Sequence, residues 1–135
     1  MGSLFDMEAV AREQVRNDVA KGRLDEVRKA LDNGADVNAR HMSDSTLLQW
    51  ASLKGHSDIA KLLMDRGANA NDKDINGNTA LHLAARWGHN KTISILLENG
   101  ADVNTKNNDG YTPLKMATVG KHQETVKLLR QHWAS

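Results

Sequence analysis

The feature that most constrains this chain is a six-residue phrase that recurs three times at an interval of 33 residues. Its copies, each built around Gly-Ala, lie at residues 33–38, 66–71 and 99–104. Two other sets of residues recur at the same interval of 33 residues. Gly55-His56 recurs as Gly88-His89, and a threonine recurs at Thr46, Thr79 and Thr112. Self-similarity at this period indicates stacked repeats that bury their apolar faces against one another. Such arrays typically present binding surfaces.

Each unit is predicted to contain a turn, a short helix, a tight turn, a second helix and a loop. Thr79 is predicted to cap the first helix through its hydroxyl, and Thr112 does the same with Pro113 at the first helical position. Gly88 is predicted to end the first helix, because glycine adopts left-handed angles without steric cost. The second helix carries one apolar stripe: Ile93, Leu96 and Leu97. Helices this short need neighbours to be stable, so we expect an all-α stack.

The repeat unit resembles the ankyrin repeat. The family phrase Thr-Pro-Leu-His-x-Ala appears as Thr79-Ala80-Leu81-His82-Leu83-Ala84, inside a unit that matches nearly every consensus position. It recurs as Thr112-Pro113-Leu114-Lys115-Met116-Ala117 and is degraded to Thr46-Leu47-Leu48-Gln49-Trp50-Ala51. The resemblance covers nearly the whole chain. It implies an all-α solenoid of stacked helix-turn-helix units with projecting β-turns.

We expect residues 1–135 to form a single domain of four units. These are an N-terminal capping unit 1–40, repeats 41–73 and 74–106, and a C-terminal capping unit 107–135. Charged residues surround Val10, Val15 and Val19, which predicts an amphipathic first helix with a solvated outer face. Arg130 stands where the two repeats have Met or Leu. A charge at this stacking position predicts that no fifth repeat follows, that the chain is complete and that it is a monomer.

Charge and composition exclude several functions. The formal net charge is +1, which favours neither nucleic acid nor anionic lipid as a partner. Cysteine is absent, so disulfides and thiolate metal sites are excluded. No apolar run reaches the roughly 18 residues that a membrane-spanning helix needs, and no secretory signal opens the chain. We therefore expect a cytoplasmic or nuclear protein that binds neither nucleic acid nor membranes.

Motifs for catalysis and for metal binding are also missing. There is no Gly-x-Ser-x-Gly turn and no glycine-rich phosphate loop, so we expect no enzymatic activity and no cofactor. Six histidines suggest a metal site. However, His82 and His89 occupy repeat positions, and Gln49 and Lys115 are the equivalents of His82 in the neighbouring units. Our interpretation is that these imidazoles hydrogen-bond the backbone of loops between repeats and bind no metal.

An asparagine closes each of the three loops, at Asn38, Asn71 and Asn104. The resemblance implies that it ties the loop through backbone hydrogen bonds. It also implies an alternative function, because members of the family are substrates of an asparaginyl hydroxylase at this position. Asn71 and Asn104 each have a leucine eight residues upstream, which suits that alternative.

The resemblance further implies that partner contacts lie on a concave face formed by the turn tips and the ends of the first helices. The matching positions are Met42, Ser43, Ser45, Leu53, Lys54, Ile75, Asn76, Asn78, Arg86, Trp87, Asn108, Asp109 and Tyr111. Five of these are large and apolar or aromatic, and we expect that the stack does not need them: Met42, Leu53, Ile75, Trp87 and Tyr111. The sequence therefore predicts a non-enzymatic module that binds another protein, as an adaptor or a steric inhibitor.

The sequence leaves two alternatives open, one for the exposure of Trp50 and one for the origin of the chain. Trp50 is expected to be either exposed on the concave face or partly buried, like its equivalents Leu83 and Met116. His41 and Asp44 replace the Asp and Gly that are usual in the turn. Together with second helices that differ between units, this replacement favours a natural chain over an engineered ankyrin binder.

Overall fold

The computed structural model describes the backbone of residues 4–134 and the side chains of residues 7–132. This part of the chain contains eight α-helices and no strand. They are α1 Leu4–Ala20, α2 Leu24–Asp32, α3 Leu47–Lys54, α4 Ser57–Asp65, α5 Ala80–Arg86, α6 Asn90–Glu98, α7 Pro113–Val119 and α8 Gln123–Ala134. The all-α prediction is confirmed. Residues 1–3 and 135, assigned to the first and last units, lie outside the described residues.

The helices form two rows. The odd-numbered helices pack in sequence as an inner row, α1 on α3, α3 on α5 and α5 on α7, and the even-numbered helices pack as an outer row. Each inner helix also packs on the outer helix that follows it. The predicted solenoid of helix-turn-helix units is thereby confirmed. The division into units at residues 40, 73 and 106 stays a prediction.

The helix starts follow the predicted capping chemistry. The Thr79 hydroxyl accepts from the backbone N–H of His82, and the Thr79 N–H donates to Nδ1 of His82 at 3.1 Å, which completes a capping box. The Thr112 hydroxyl accepts from the backbone N–H of Lys115 at 3.2 Å, and Pro113 is the first residue of α7. Both predicted N-caps are confirmed.

A continuous apolar core lies between the two rows. In α6, Ile93 and Leu96 are wholly buried and Leu97 is half-buried, which confirms the predicted stripe. On the inner row, Ala51 and Ala84 are wholly buried. Their small side chains let neighbouring inner helices approach closely.

Helix α1 differs in part from the amphipathic helix that was expected to cap the stack. It has 17 residues, whereas α3, α5 and α7 have seven or eight. Val15 and Val19 are buried, but Val10 is 67% exposed, so the expectation for Val10 is wrong. The reason is that α3 begins at Leu47, the equivalent of Gln14. The α1 residues before Gln14 therefore lie outside the length that α3 covers.

Position 130 lies at the margin of the core. Arg130 is exposed, whereas its equivalents Met64 and Leu97 are half-buried and pack against the core. The residue of α8 that enters the core is Leu129, which is almost fully buried.

Candidate protein-binding face

The three turns that precede α3, α5 and α7 are joined by backbone hydrogen bonds. The Ile75 N–H donates to the Ser43 carbonyl at 3.0 Å, and the Asn108 N–H donates to the Asn76 carbonyl at the same distance. The Asn108 amide also donates to the Ile75 carbonyl at 3.0 Å. These bonds hold the turn tips in one row.

The second and third turns are stabilised by a side-chain oxygen. Asp74 Oδ1 accepts from two backbone N–H groups of its own turn, both at 2.9 Å. Asn107 Oδ1 does the same at 3.0 Å. Gly77 and Gly110 then adopt φ angles of +77° and +79°, which other residues reach only with strain. Both turns project as expected.

The first turn lacks this arrangement, because His41 stands in the place of Asp74. Its Nε2 is buried and has no hydrogen-bond partner among the described residues. Burial lowers the pKa of His41, and the nearby charges of Arg16 and Arg12 lower it further. Both effects favour the neutral form of the His41 ring.

Residues 42–44 form a 3-10 turn in place of the expected β-turn, with φ angles of +60° at Ser43 and +58° at Asp44. Arg40 supports this turn: its Nη1 donates to the carbonyls of Asp44 at 2.8 Å and of Lys73 at 2.7 Å. The replacement of the usual Asp and Gly thus changes the turn type and leaves it tied to the next unit.

Four of the five large side chains predicted on this side are exposed: Met42 by 66%, Ile75 by 63%, Trp87 by 55% and Tyr111 by 37%. The fifth, Leu53, is half-buried, so it offers less apolar surface to a partner than the other four. The His89 Nε2 donates to the Leu53 carbonyl at 3.0 Å, which brings the next unit against this end of α3.

The polar positions predicted on the same side divide into two groups. Ser43, Lys54, Asn76, Arg86 and Asp109 are exposed. Asn78 is half-buried and accepts from the Asn107 amide at 2.9 Å, and the half-buried Ser45 accepts from the His41 N–H at 2.8 Å. Asn108 joins neighbouring turns, as described above. Ser45, Asn78 and Asn108 therefore form hydrogen bonds within a turn or between neighbouring turns.

Cationic side chains lie over three aromatic rings near the inner row. Arg86 Cζ is 5.6 Å from the centroid of the Trp87 ring, and Lys115 Nζ is 5.7 Å from that of Tyr111. Arg16 covers Trp50, which is half-buried, and this decides between the two alternatives for Trp50. The sequence reasoning missed Lys115. The sequence could have indicated Lys115, because a charged residue at the position equivalent to His82 is expected to be exposed.

We call the surface formed by the turn tips and the exposed ends of the inner helices the inner face. Its exposed members with large or cationic side chains are Met42, Lys54, Ile75, Arg86, Trp87, Tyr111 and Lys115. The inner face therefore combines exposed apolar and aromatic side chains with positively charged ones.

The histidines bond to the backbone of neighbouring units, as interpreted from the sequence. His82 Nε2 donates to the Tyr111 carbonyl at 2.7 Å, and His56 Nε2 donates to the Ala20 carbonyl at 3.1 Å. Burial lowers the pKa of His82, although its hydrogen bond to Tyr111 opposes this shift. Among the described side chains, no group of three or more His, Cys, Asp or Glu residues is arranged to hold a metal ion.

The loop asparagines differ in their bonding. Asn71 Nδ2 donates to the Gly100 carbonyl at 3.0 Å, and its Oδ1 accepts from the Asp102 N–H at 2.8 Å. Asn38 Nδ2 donates to the Gly67 carbonyl at 3.3 Å. The predicted loop-tying role is therefore confirmed for Asn38 and Asn71.

The chain was compared with known proteins. The family model described as ankyrin repeats (three copies) matches residues 17–107 and 71–135, so the two matches together cover nearly all of the chain. No curated protein matches the chain significantly. Over the described residues, no helix combines the length and apolarity that crossing a membrane requires.

Proposed function

The chain belongs to the ankyrin-repeat family, whose repeats generally act as protein–protein interaction modules, and we propose that it binds a partner protein through its inner face. The observation that carries this proposal is Trp87, which is 55% exposed at the end of α5 with Arg86 over its ring. Trp and Arg are enriched among the residues that dominate binding energy at interfaces. Neither side chain is buried in the stack.

The inner face suits binding more than catalysis. The ankyrin fold is typically a non-enzymatic module. The exposed apolar side chains are separated along the row of turns, so a partner would contact several units at once. The chain would act in the cytoplasm or nucleus as a monomer, either as an adaptor or as a steric inhibitor of its partner.

A pull-down from cell lysate tests this proposal. Wild type, Trp87→Ala and Ile75→Ala are compared with Lys61→Ala, whose exposed lysine on α4 serves as an outer-row control. We expect a protein that wild type and Lys61→Ala retain and that Trp87→Ala loses. A partner retained equally by wild type and all three variants would place the interface elsewhere.

The affinity for a captured protein should change by a predictable amount. Loss of a central aromatic anchor typically costs about 2 kcal/mol or more, a factor of roughly 30 in Kd. Because Trp87 is exposed, Trp87→Ala should keep the free energy of unfolding within about 1 kcal/mol of wild type. Titration calorimetry and urea denaturation measure the two effects separately.

Hydroxylation of a loop asparagine by an asparaginyl hydroxylase is a second candidate function. Asn71 and Asn104 are both exposed. The Asn71 amide is hydrogen-bonded at both ends, whereas the Asn104 side chain has no bond among the described residues. Asn104 is therefore the more accessible substrate. Peptide mass analysis of protein from cells should find one added oxygen at Asn104 before Asn71, and unmodified protein under all growth conditions would exclude this function.

A further inference from the structure

The charges of this chain are segregated. Residues 45–56, 78–89 and 111–122 contain α3, α5 and α7, and none of them includes an Asp or Glu, although the chain has 17 acidic residues. The same segments contain four basic residues: Lys54, Arg86, Lys115 and Lys121. The formal net charge of the whole chain is only +1. The cationic character therefore belongs to α3, α5, α7 and the residues next to them, and not to the molecule as a whole. The fourth inner helix, α1, has four acidic residues and two basic ones.

The cations of the inner face also lack ion-pair partners. Elsewhere, seven basic residues lie within 4.0 Å of a carboxylate: Arg23, Arg28, Lys29, Arg40, Lys61, Arg66 and Lys127. Lys54, Arg86 and Lys115 are exposed and form no ion pair with any described side chain. Each of the three can therefore pair with a carboxylate of a partner without breaking an existing ion pair.

Two of these cations lie against the aromatic side chains of the inner face. The Arg86 guanidinium lies over Trp87, and the Lys115 ammonium lies over Tyr111. A ring that supports a cation limits its motion, and this reduces the entropy lost when the cation binds. The planar guanidinium of Arg86 can hold a carboxylate through two parallel hydrogen bonds. At both Trp87 and Tyr111, a ring that can make an apolar contact thus lies beside a cation that can bind an anion.

On the premise that the inner face is the interface, we propose that its partner presents an acidic segment with an apolar anchor. The anchor, a large aliphatic or aromatic side chain, packs on Trp87 and Ile75. Asp or Glu residues on either side of the anchor pair with Arg86, Lys115 and Lys54. The anchor supplies buried apolar area, and the carboxylates supply specificity and a faster association rate.

The charges of the turn tips predict how the acidic segment of the partner is oriented on the inner face. Asp109 is exposed at the third turn, and Asp44 is exposed at the first turn, where it pairs with Arg40 at 4.0 Å. The tips therefore carry carboxylates, whereas the helix ends carry none. Like charges placed opposite each other across an interface are unfavourable. The acidic residues of the partner should therefore lie over the helix ends, and the side facing the tips should be neutral or basic.

Nucleic acid is the rival partner for a face of cations and aromatic rings. Its affinity comes mainly from contacts between many phosphates and basic residues. The inner face offers only a few cations, with acidic tips beside them, and the net charge of the chain adds no long-range attraction. A protein segment in which a few carboxylates flank an apolar residue matches this pattern better.

The test is a selection from a random linear peptide library displayed on phage, with the full chain immobilised. Peptides selected by wild type should be enriched in Asp and Glu around a large apolar residue. One selected peptide is then synthesised and titrated against the double variant Arg86→Glu with Lys115→Glu. Its Kd should rise by about tenfold or more, because two attractions become repulsions. The control Lys61→Glu makes the same charge change on the outer row and should leave the Kd nearly unchanged.

Other outcomes separate failure of this inference from failure of the proposed function. Neutral or basic peptides that still lose binding in Trp87→Ala would overturn the acidic partner and keep the interface. Peptides insensitive to Trp87→Ala, or a library without binders, would contradict both proposals. A single-stranded oligonucleotide that binds wild type, loses affinity in the Arg86→Glu and Lys115→Glu double variant, and competes with the peptides would assign the face to nucleic acid. Circular dichroism of each variant checks that it folds.

Discussion

At the residue scale, the turn that connects the two helices of a unit requires one residue in the left-handed backbone conformation. Gly22, Gly55 and Gly88 adopt φ angles of +76°, +74° and +71° at this connection. Lys121 occupies the equivalent position in the last unit and adopts +62°. A residue with a Cβ atom pays roughly 1 to 2 kcal/mol in this region, since Cβ approaches the following carbonyl oxygen. At this connection the last unit therefore contains local strain that the glycines of the other units avoid.

Lys121→Gly should relieve this strain. After allowing for the greater freedom of glycine in the unfolded chain, we expect the free energy of unfolding to rise by about 0.5 to 1 kcal/mol. Urea denaturation measures the change. As a control, Lys127→Gly inside α8 should lower the free energy of unfolding by about 1 kcal/mol. A loss of stability in Lys121→Gly as well would mean that its left-handed backbone is not strained.

A second residue-scale prediction concerns pH. His82 accepts from the Thr79 N–H at Nδ1 and donates from Nε2 to the Tyr111 carbonyl, so its folded environment requires a neutral ring. Burial lowers the folded pKa of His82, whereas in the unfolded chain it lies near 6.5. Below about pH 6.5 the unfolded chain binds a proton that the folded chain resists. Stability should therefore be complete above this pH and fall as the pH drops towards the folded pKa.

The measurement is the urea midpoint between about pH 7.5 and 5.5. The wild-type midpoint should fall over this range. His82→Gln should weaken the fall, because a glutamine side chain does not titrate. Gln49 shows that glutamine fits this position: it bonds the Thr46 N–H and the Asp72 carbonyl, both at 2.9 Å, and the Asn78 carbonyl, the equivalent of that of Tyr111, at 3.5 Å. His41 also has a lowered pKa and should keep part of the dependence. An unchanged pH dependence in His82→Gln would show that His82 does not contribute.

At the element scale, the helices were predictable because their signals are local. Thr79 begins α5, and Ile93 with Leu96 mark the buried side of α6, so a few neighbouring residues define each element. What the sequence could not predict depends on neighbouring units. Val10 is exposed because α3 does not extend alongside it, and Leu53 is half-buried at the end of α3, where the next unit bonds to its carbonyl.

The outer row supplies the element-scale prediction. Leu96 is wholly buried in α6, so Leu96→Ala should cost about 2 to 5 kcal/mol through lost apolar transfer and a residual cavity. Leu97→Ala is the matched control in the same helix and should cost clearly less, because Leu97 is half-buried. Thermal and urea unfolding compare the two. Equal losses would contradict the orientation of α6.

At the scale of the whole molecule, the repeat register predicted which side carries the candidate site. Equivalent positions in successive units recur every 33 residues, and the resemblance to ankyrin repeats implied that Met42, Ile75 and Trp87 lie on the binding side. The register could not show that Asn78 and Asn108 are used between turns, because those bonds join residues of different units. The contact of Arg16 in α1 with the Trp50 ring in α3 was likewise visible only once the helices were packed.

The most direct test of the central claim, that the inner face is the binding surface, is nuclear magnetic resonance of the ¹⁵N-labelled protein. Either the protein captured in the pull-down or the selected acidic peptide is titrated in. The amide signals of Ile75 and Tyr111 and the indole N–H signal of Trp87 should shift, while the amides of Lys61 on α4 and Ser94 on α6 stay in place. Shifts confined to the outer row, with none at Trp87, would contradict the claim.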